Sequence, residues 1–208
     1  MIKNKDRSKW FGASDTHYIM GNWDTKTFQN WWMQKLGLIK KEFNTIYTIA
    51  GNEYEHKIAE TIRTYFDDDK FKLDRQIKCR KWRVRVNLDC ESKHTIYEIK
   101  TFKKTDKEWK LPENYIMQAR VQMLFAKKPC TIVAYPMEEE NYKNFFCEID
   151  PKKIEFYHIE QDDKFVKEYL QRVKYLKQCL KKGIMPNKID YLGLELNYGI
   201  QGKINKCR

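Results

Sequence analysis

Apolar and polar positions alternate through Val84-Arg85-Val86-Asn87-Leu88-Asp89 and again through Thr95-Ile96-Tyr97-Glu98-Ile99-Lys100. A period of two on both sides of a short break predicts two neighbouring strands. In the second, Glu98 and Lys100 stand two apart and share one face of the sheet, while Ile99 takes the other. Phe71 to Lys78 and Lys81 to Asp89 read as a strand pair, followed by a strand over Thr95 to Thr101. Later apolar runs predict strands at Thr131 to Tyr135, Phe145 to Ile149 and Ile154 to Ile159.

Elsewhere the apolar spacing is helical. Thr25 to Leu38 carries a stripe of Phe28, Trp31, Trp32 and Leu36, with Gly37 as its stop, and the tryptophans read as core rather than as stacking platforms. Ile46 to Ile49 is an apolar lead-in to a helix over Ala50 to Phe66, whose buried face is Tyr54, Ile58, Ile62 and Tyr65. Pro112 opens a helix to about Ala126, on which Tyr115, Gln118, Gln122 and Phe125 recur. Phe165 to Leu180 is strongly amphipathic and ends at Gly183. Asp67-Asp68-Asp69-Lys70 is a polar turn. This order of elements indicates one α/β domain, residues 1–208, with a central mixed β-sheet flanked by helices.

Composition narrows the function. The chain has 208 residues and is 41% hydrophobic, enough to bury a core. Its formal net charge of +12, spread among acids and aromatics, predicts a folded domain with a basic face and a polyanionic partner. No run is apolar enough to span a membrane, and the N-terminus lacks the apolar segment of a signal peptide. The six cysteines are scattered with no C-x-x-C pair, which argues against zinc or an iron–sulfur cluster and for reduced thiols in an intracellular protein.

The candidate chemistry sits on the alternating strands. Asp89, Glu98 and Lys100 bring two carboxylates and an ammonium to one strand pair, a set suited to a divalent cation with hard oxygen ligands and to steadying charge at phosphorus. E-x-K is also common on solvated sheets. Glu55 lies at the edge of a buried helix face, either as a further ligand or as an ordinary solvated Glu. Ser14 or Asp15 caps a short helix near Arg7, either a plain cap beside a surface arginine or a phosphate site. Gln118 is either a surface amide or a donor to phosphate or water.

Four blocks in series resemble one known group. Arg7 followed by Gly12-Ala13-Ser14-Asp15 resembles an R…(G/T)-A-S block. Ala50-Gly51-Asn52-Glu53-Tyr54-Glu55 resembles a G-x-x-x-E helix, Asp89 with Glu98-Ile99-Lys100-Thr101 a D…E-x-K core, and Tyr115-Ile116-Met117-Gln118 a Y-x-x-Q helix. In order and spacing across residues 7–126 the chain resembles the PD-(D/E)xK nuclease superfamily, and within it the lambda-exonuclease-like (YqaJ-type) viral recombination nucleases. Leu88 and Cys90 flank Asp89 where the family usually has Pro and Gly.

The resemblance implies a restriction-endonuclease-like core and metal-dependent 5′→3′ degradation of linear double-stranded DNA. It implies that Asp89, Glu98 and the Ile99 carbonyl hold Mg²⁺ or Mn²⁺ and that Glu55 serves a second ion. Lys100 would orient the attacking water, Gln118 would support that water or the terminal phosphate, and Arg7 and Ser14 would bind the 5′-phosphate of the DNA end. It further implies a ring-shaped homotrimer, a single-strand annealing protein as partner, and the cytoplasm of a bacterial host. Competing readings are an endonuclease on the same core and a DNA-end-binding protein that has lost the chemistry. A basic membrane-surface protein has charge alone behind it.

Overall fold

A six-stranded mixed sheet with helices on both faces frames the protein, as the order of predicted elements requires. The computed structural model describes residues 8–39, 45–66, 71–105 and 108–192. Arg7, the polar turn at 67–70, Cys207 and the end of the tail lie outside the described residues.

The chain opens with a two-residue strand, β1 (Phe11–Gly12), a 3-10 turn over Ala13–Asp15, and the helices α1 (Thr16–Met20) and α2 (Lys26–Leu36). The long helix α3 (Ile46–Phe66) precedes β2 (Lys72–Cys79), β3 (Val84–Glu91) and β4 (Ile96–Lys103). Then come α4 (Glu113–Ala126), β5 (Cys130–Met137), α5 (Glu139–Lys143), β6 (Glu155–Ile159) and α6 (Asp163–Lys182).

Local chemistry sets the helix ends. The Thr25 hydroxyl accepts from the Phe28 N–H and opens α2, and Gly37 closes it in the left-handed region at φ 77°. Asp162 caps α6 in the same way and Gly183 ends it at φ 71°. Trp31 and Trp32 are buried in the core, as their spacing predicts.

β2 runs antiparallel along the whole of β3. The other edge of β3 is shared. β1 pairs with it in parallel at Val84 and Arg85, and β4 pairs antiparallel at Cys90 and Glu91. β5 is parallel to β4, and β6 is antiparallel to β5. A sheet with a parallel pair at its centre needs both faces covered. α3 covers one face through Tyr54, Ile58 and Ile62, packed with Cys90, Ile99 and Val133. α1, α2, α4 and α6 cover the other, where Phe28, Trp32, Ile96, Ile132, Tyr169 and Leu176 are buried.

Three local expectations differ. The lead-in Ile46 to Ile49 is the first turn of α3 itself. Tyr65 is 72% exposed, because Phe66 rather than Tyr65 turns back to stack on Tyr97 at 5.6 Å. Phe145 to Ile149 is not a strand. Its backbone is held by α3 side chains instead of a ladder: Lys57 Nζ donates to the Phe145 and Cys147 carbonyls, and the Tyr54 hydroxyl to the Asn144 carbonyl. The edge of β5 that it would have joined is occupied by β6. The five described cysteines are free thiols, and no described helix is long and apolar enough to cross a membrane.

Candidate active site

The site is built where β3 and β4 part. Their ladder begins next to the hairpin and stops after two pairs, Glu91 with Ile96 and Cys90 with Tyr97. The next residues on each strand are Asp89 and Glu98. On the same edge β1 reaches only Val84 and Arg85, so among the described residues Val86–Asp89 make no ladder pair there. Such a gap orphans backbone groups, which need partners. Side chains supply them. Asp89 Oδ2 accepts the Ile99 N–H at 2.8 Å, and Gln122 Nε2 from α4 donates to the Asn87 carbonyl at 3.2 Å. Opening the sheet therefore fixes an Asp and a Gln at the fork.

Glu98 is 2% exposed and surrounded by donors. Its Oε1 accepts from Lys100 Nζ at 2.6 Å and from Gln118 Nε2, and its Oε2 accepts from Gln122 Nε2. Two donors fill Oε1, and Oε2 keeps acceptor capacity. Lys100 also stands 5.0 Å from the centre of the Tyr115 ring, a cation–π contact. Tyr115 and Gln118 thus act on the E-x-K pair from one turn of α4, which explains their spacing of three.

Glu55 reaches the fork from α3. The helix can lie close because Gly51, one turn earlier, has no side chain: a Cβ there would sit 3.3 Å from Thr101 Oγ1. Burial first, and then the Glu98 charge, push the Glu55 carboxyl up to about 7. Asp89 is raised well above the ordinary carboxylate range by burial, then by Glu98 and Glu55. Burial opposes the charge on Lys100, but Glu98 and Asp89 outweigh it and hold its ammonium pKa above the ordinary value. The fork thus concentrates three carboxylates against one ammonium.

A cleft of about 940 Å³ joins these groups to the N-terminal turn and to α2. Ser14, Glu55, Asp89, Glu98, Lys100 and Gln118 all line it. Ile99 belongs to the same segment but turns its side chain into the core beneath α3. Ser14 is exposed at the mouth. Its neighbour Asp15 accepts the Gly12 N–H at 2.7 Å and pairs with Lys35 at 2.6 Å. Burial alone would raise Asp15, but Lys35 and the Gly12 N–H overcome it and hold the carboxyl low. Asp15 thus serves as a strut for the turn that carries Ser14. Arg7 lies outside the described residues.

Arg85, Asn87 and Gln122 were not singled out as site residues from the sequence. Arg85 and Asn87 also line the cleft. The signal was present: they precede Asp89 at alternate positions of one strand and so share its face. Gln122 is one helical turn beyond Gln118.

Divalent metal chemistry requires hard oxygen donors and unbalanced negative charge, and the fork has both. Among the described residues, no group of three or more His, Cys, Asp or Glu is gathered so that it could hold a metal ion. Glu98 is turned instead to its amide and ammonium partners. The donor chemistry fits a cation, and the arrangement is closed around Lys100.

No protein-family model matches the chain, and no curated protein matches it by sequence. Among solved structures it is similar to the alkaline exonuclease LHK-Exo from Laribacter hongkongensis, with a TM-score of 0.65 and 18% identity over 92% of this chain and 95% of that one. LHK-Exo in complex with dAMP gives a TM-score of 0.66 and 17% identity over the same shares of the two chains. A phage-related exonuclease from Haemophilus somnus 129PT gives 0.52 and 15% identity over 83% of this chain and 96% of that one. At these identities the likeness is one of fold, and it extends over more than four fifths of each chain.

Proposed function

We propose that this chain is a divalent-metal-dependent exonuclease that degrades linear double-stranded DNA from a 5′-phosphorylated end, 5′ to 3′, in recombination of the phage type. The observation that carries the reading is the fork: Asp89, Glu98 and Glu55 at a break in the sheet, with Lys100 against Glu98. Its fold is similar to those of an alkaline exonuclease and a phage-related exonuclease. Self-assembly into a ring and work beside a single-strand annealing protein belong to the same proposal.

Asp89, Glu98 and the Ile99 carbonyl would hold Mg²⁺ or Mn²⁺, with Glu55 serving a second ion; bound there, the metal supplies Lewis-acid stabilisation at phosphorus and a more acidic water. The remaining work falls to the chain itself. The Lys100 ammonium orients the attacking water and faces the charge that develops on the phosphoryl oxygens. Tyr115 and Glu98 keep that ammonium charged and in place. Gln118 moves its donor from Glu98 to the water or to phosphate. Arg7 and Ser14 hold the terminal phosphate and so bring the first phosphodiester over the carboxylates.

The test uses linear duplex with a 5′-phosphate or a 5′-hydroxyl, alongside a closed circle, each with Mg²⁺, with EDTA and with Lys100→Ala. Mononucleotides from linear DNA only, faster from the phosphorylated end and absent with EDTA, are expected. Lys100→Ala should lower the rate by a factor of about 10²–10³, as losing one electrostatic contributor does elsewhere. Cutting of the circle would replace this reading with an endonuclease on the same core. No cleavage of any substrate would leave a DNA-end-binding protein.

A further inference from the structure

We infer that Arg85 is a further residue that distinguishes a phosphorylated from an unphosphorylated DNA end, with Asn87 beside it. This rests on the end-directed reading above and names a cation of the same cleft that the four sequence blocks do not contain.

Three described lysine or arginine side chains line the cleft: Lys35, Arg85 and Lys100. All three have partners within the protein. Lys35 Nζ bonds Asp15 at 2.6 Å and the Trp10 carbonyl at 2.7 Å, and Lys100 is paired with Glu98. Arg85 differs in chemistry and in position. Its guanidinium stays charged at any working pH and carries five N–H donors in a rigid fork, so it can keep contacts with the protein and still present a donor edge to phosphate. It is 7% exposed yet lines a polar cleft. The side chain therefore meets that space from a fixed strand rather than from a mobile surface.

The strand supplies the spacing. Arg85, Asn87 and Asp89 alternate on β3, so each step along the row is about 6.6 Å. Asn87 Oδ1 is held by Gln76 Nε2 at 3.0 Å, which leaves the amide N–H₂ as the group Asn87 offers. Gly12 is the ladder partner of Arg85, and the chain runs on from it parallel to β3 into the turn that carries Ser14. The row thus passes from carboxylates at Asp89 to donors at Asn87, Arg85 and Ser14. A strand with its scissile phosphate over the carboxylates would set its terminal phosphate further down the row, where donors replace acceptors.

The experiment compares wild type, Arg85→Met, Arg85→Lys and Ser14→Ala on duplexes that differ only in a 5′-phosphate or 5′-hydroxyl. Two ratios are read: cleavage rate in Mg²⁺, and affinity for the end in Ca²⁺. Each ratio cancels general losses of fold or turnover. For Arg85→Met the phosphate-to-hydroxyl ratio should fall about ten- to hundred-fold, the range of hydrogen bonds to a charged group. Arg85→Lys, which keeps the charge and loses the fork, should lie between. A wild-type ratio retained in Arg85→Met, whatever its absolute rate, overturns the assignment and leaves the exonuclease reading standing. An inactive wild type whose affinity ratio collapses in Arg85→Met overturns the exonuclease and upholds the phosphate site. A wild type indifferent to the 5′ group overturns the assignment together with the 5′-phosphate preference in the proposed function. Should Arg85→Met fail to fold, the ratios of Arg85→Lys decide.

Discussion

At the scale of single residues, Gln122 carries more of the site than its position suggests. It is fully buried, and its one amide nitrogen donates both to the Asn87 carbonyl and to Glu98 Oε2. Among the described residues Gln118 donates to Glu98, and it is half-buried. Gln122→Leu therefore strands two buried acceptors, at about 1–3 kcal/mol for each. Thermal melts should show Gln122→Leu less stable than Gln118→Leu, with both lowering cleavage on the proposed reading. Equal melting temperatures would mean that water replaces the lost donors and that the fork is open to solvent. Neither role could be read from the sequence, since a Gln on a helix has the same pattern whether it faces water or a carboxylate. Arg85 and Asn87 escaped notice for a similar reason. Their alternation with Val84, Val86 and Leu88 is equally that of a strand with one solvated face. What makes them site residues is that β4 departs and leaves that face lining a cleft.

At the scale of elements, the pattern of the sequence located helices and strands well wherever local chemistry decides them. The ends of α2 and α6 follow from Thr25, Gly37, Asp162 and Gly183. Long-range choices were not visible. Phe145 to Ile149 has a strand's composition, but Lys57 and Tyr54 of α3 claim its carbonyls. Nothing local announces that β1, two residues long, takes the end of the β3 edge that β4 leaves. The turn after β1 is tied to α2 by an ion pair, Lys35 with Asp15, whose side chains are 8% and 15% exposed. Lys35→Met leaves Asp15 buried without its cation, a change that costs about 3–5 kcal/mol in comparable pairs. The sign with pH follows. In the wild type Asp15 is held low, so its contribution is present above the ordinary carboxylate pKa and is lost as acid protonates it. In Lys35→Met burial raises the carboxyl, so the deficit should shrink on going from neutral pH to about pH 4. Urea midpoints across that range would show the two curves converging. Parallel curves would mean that Asp15 does not feel Lys35 as a charge.

At the scale of the whole molecule, charge is divided against itself. The chain carries a net +12, a charge that on the proposed reading would draw a polyanion to it. Yet the floor of its cleft holds three carboxylates, which repel a phosphate. On the proposed reading a divalent cation on that floor would resolve the conflict, and the conflict can be measured without any cleavage assay. The carboxyls of Glu55, pushed up to about 7, and Asp89 are both raised in the folded protein. The native state therefore keeps protons that the unfolded chain has given up, and the cation-free protein loses stability as pH rises through that window. Asp15, held low, titrates below it, and Lys100, held high, above it. Cation-free melting temperature should thus fall between about pH 5 and pH 8. Mg²⁺ bound there would displace those protons, so its stabilisation should be greater at the higher pH and the slope should flatten. A cation-free melting temperature that is level or rising over this range, with an Mg²⁺ shift equal at both ends, would mean the carboxylates do not share one charge-bound centre. The basic body would then attract nucleic acid to a cleft unable to hold its phosphates in reach of Lys100.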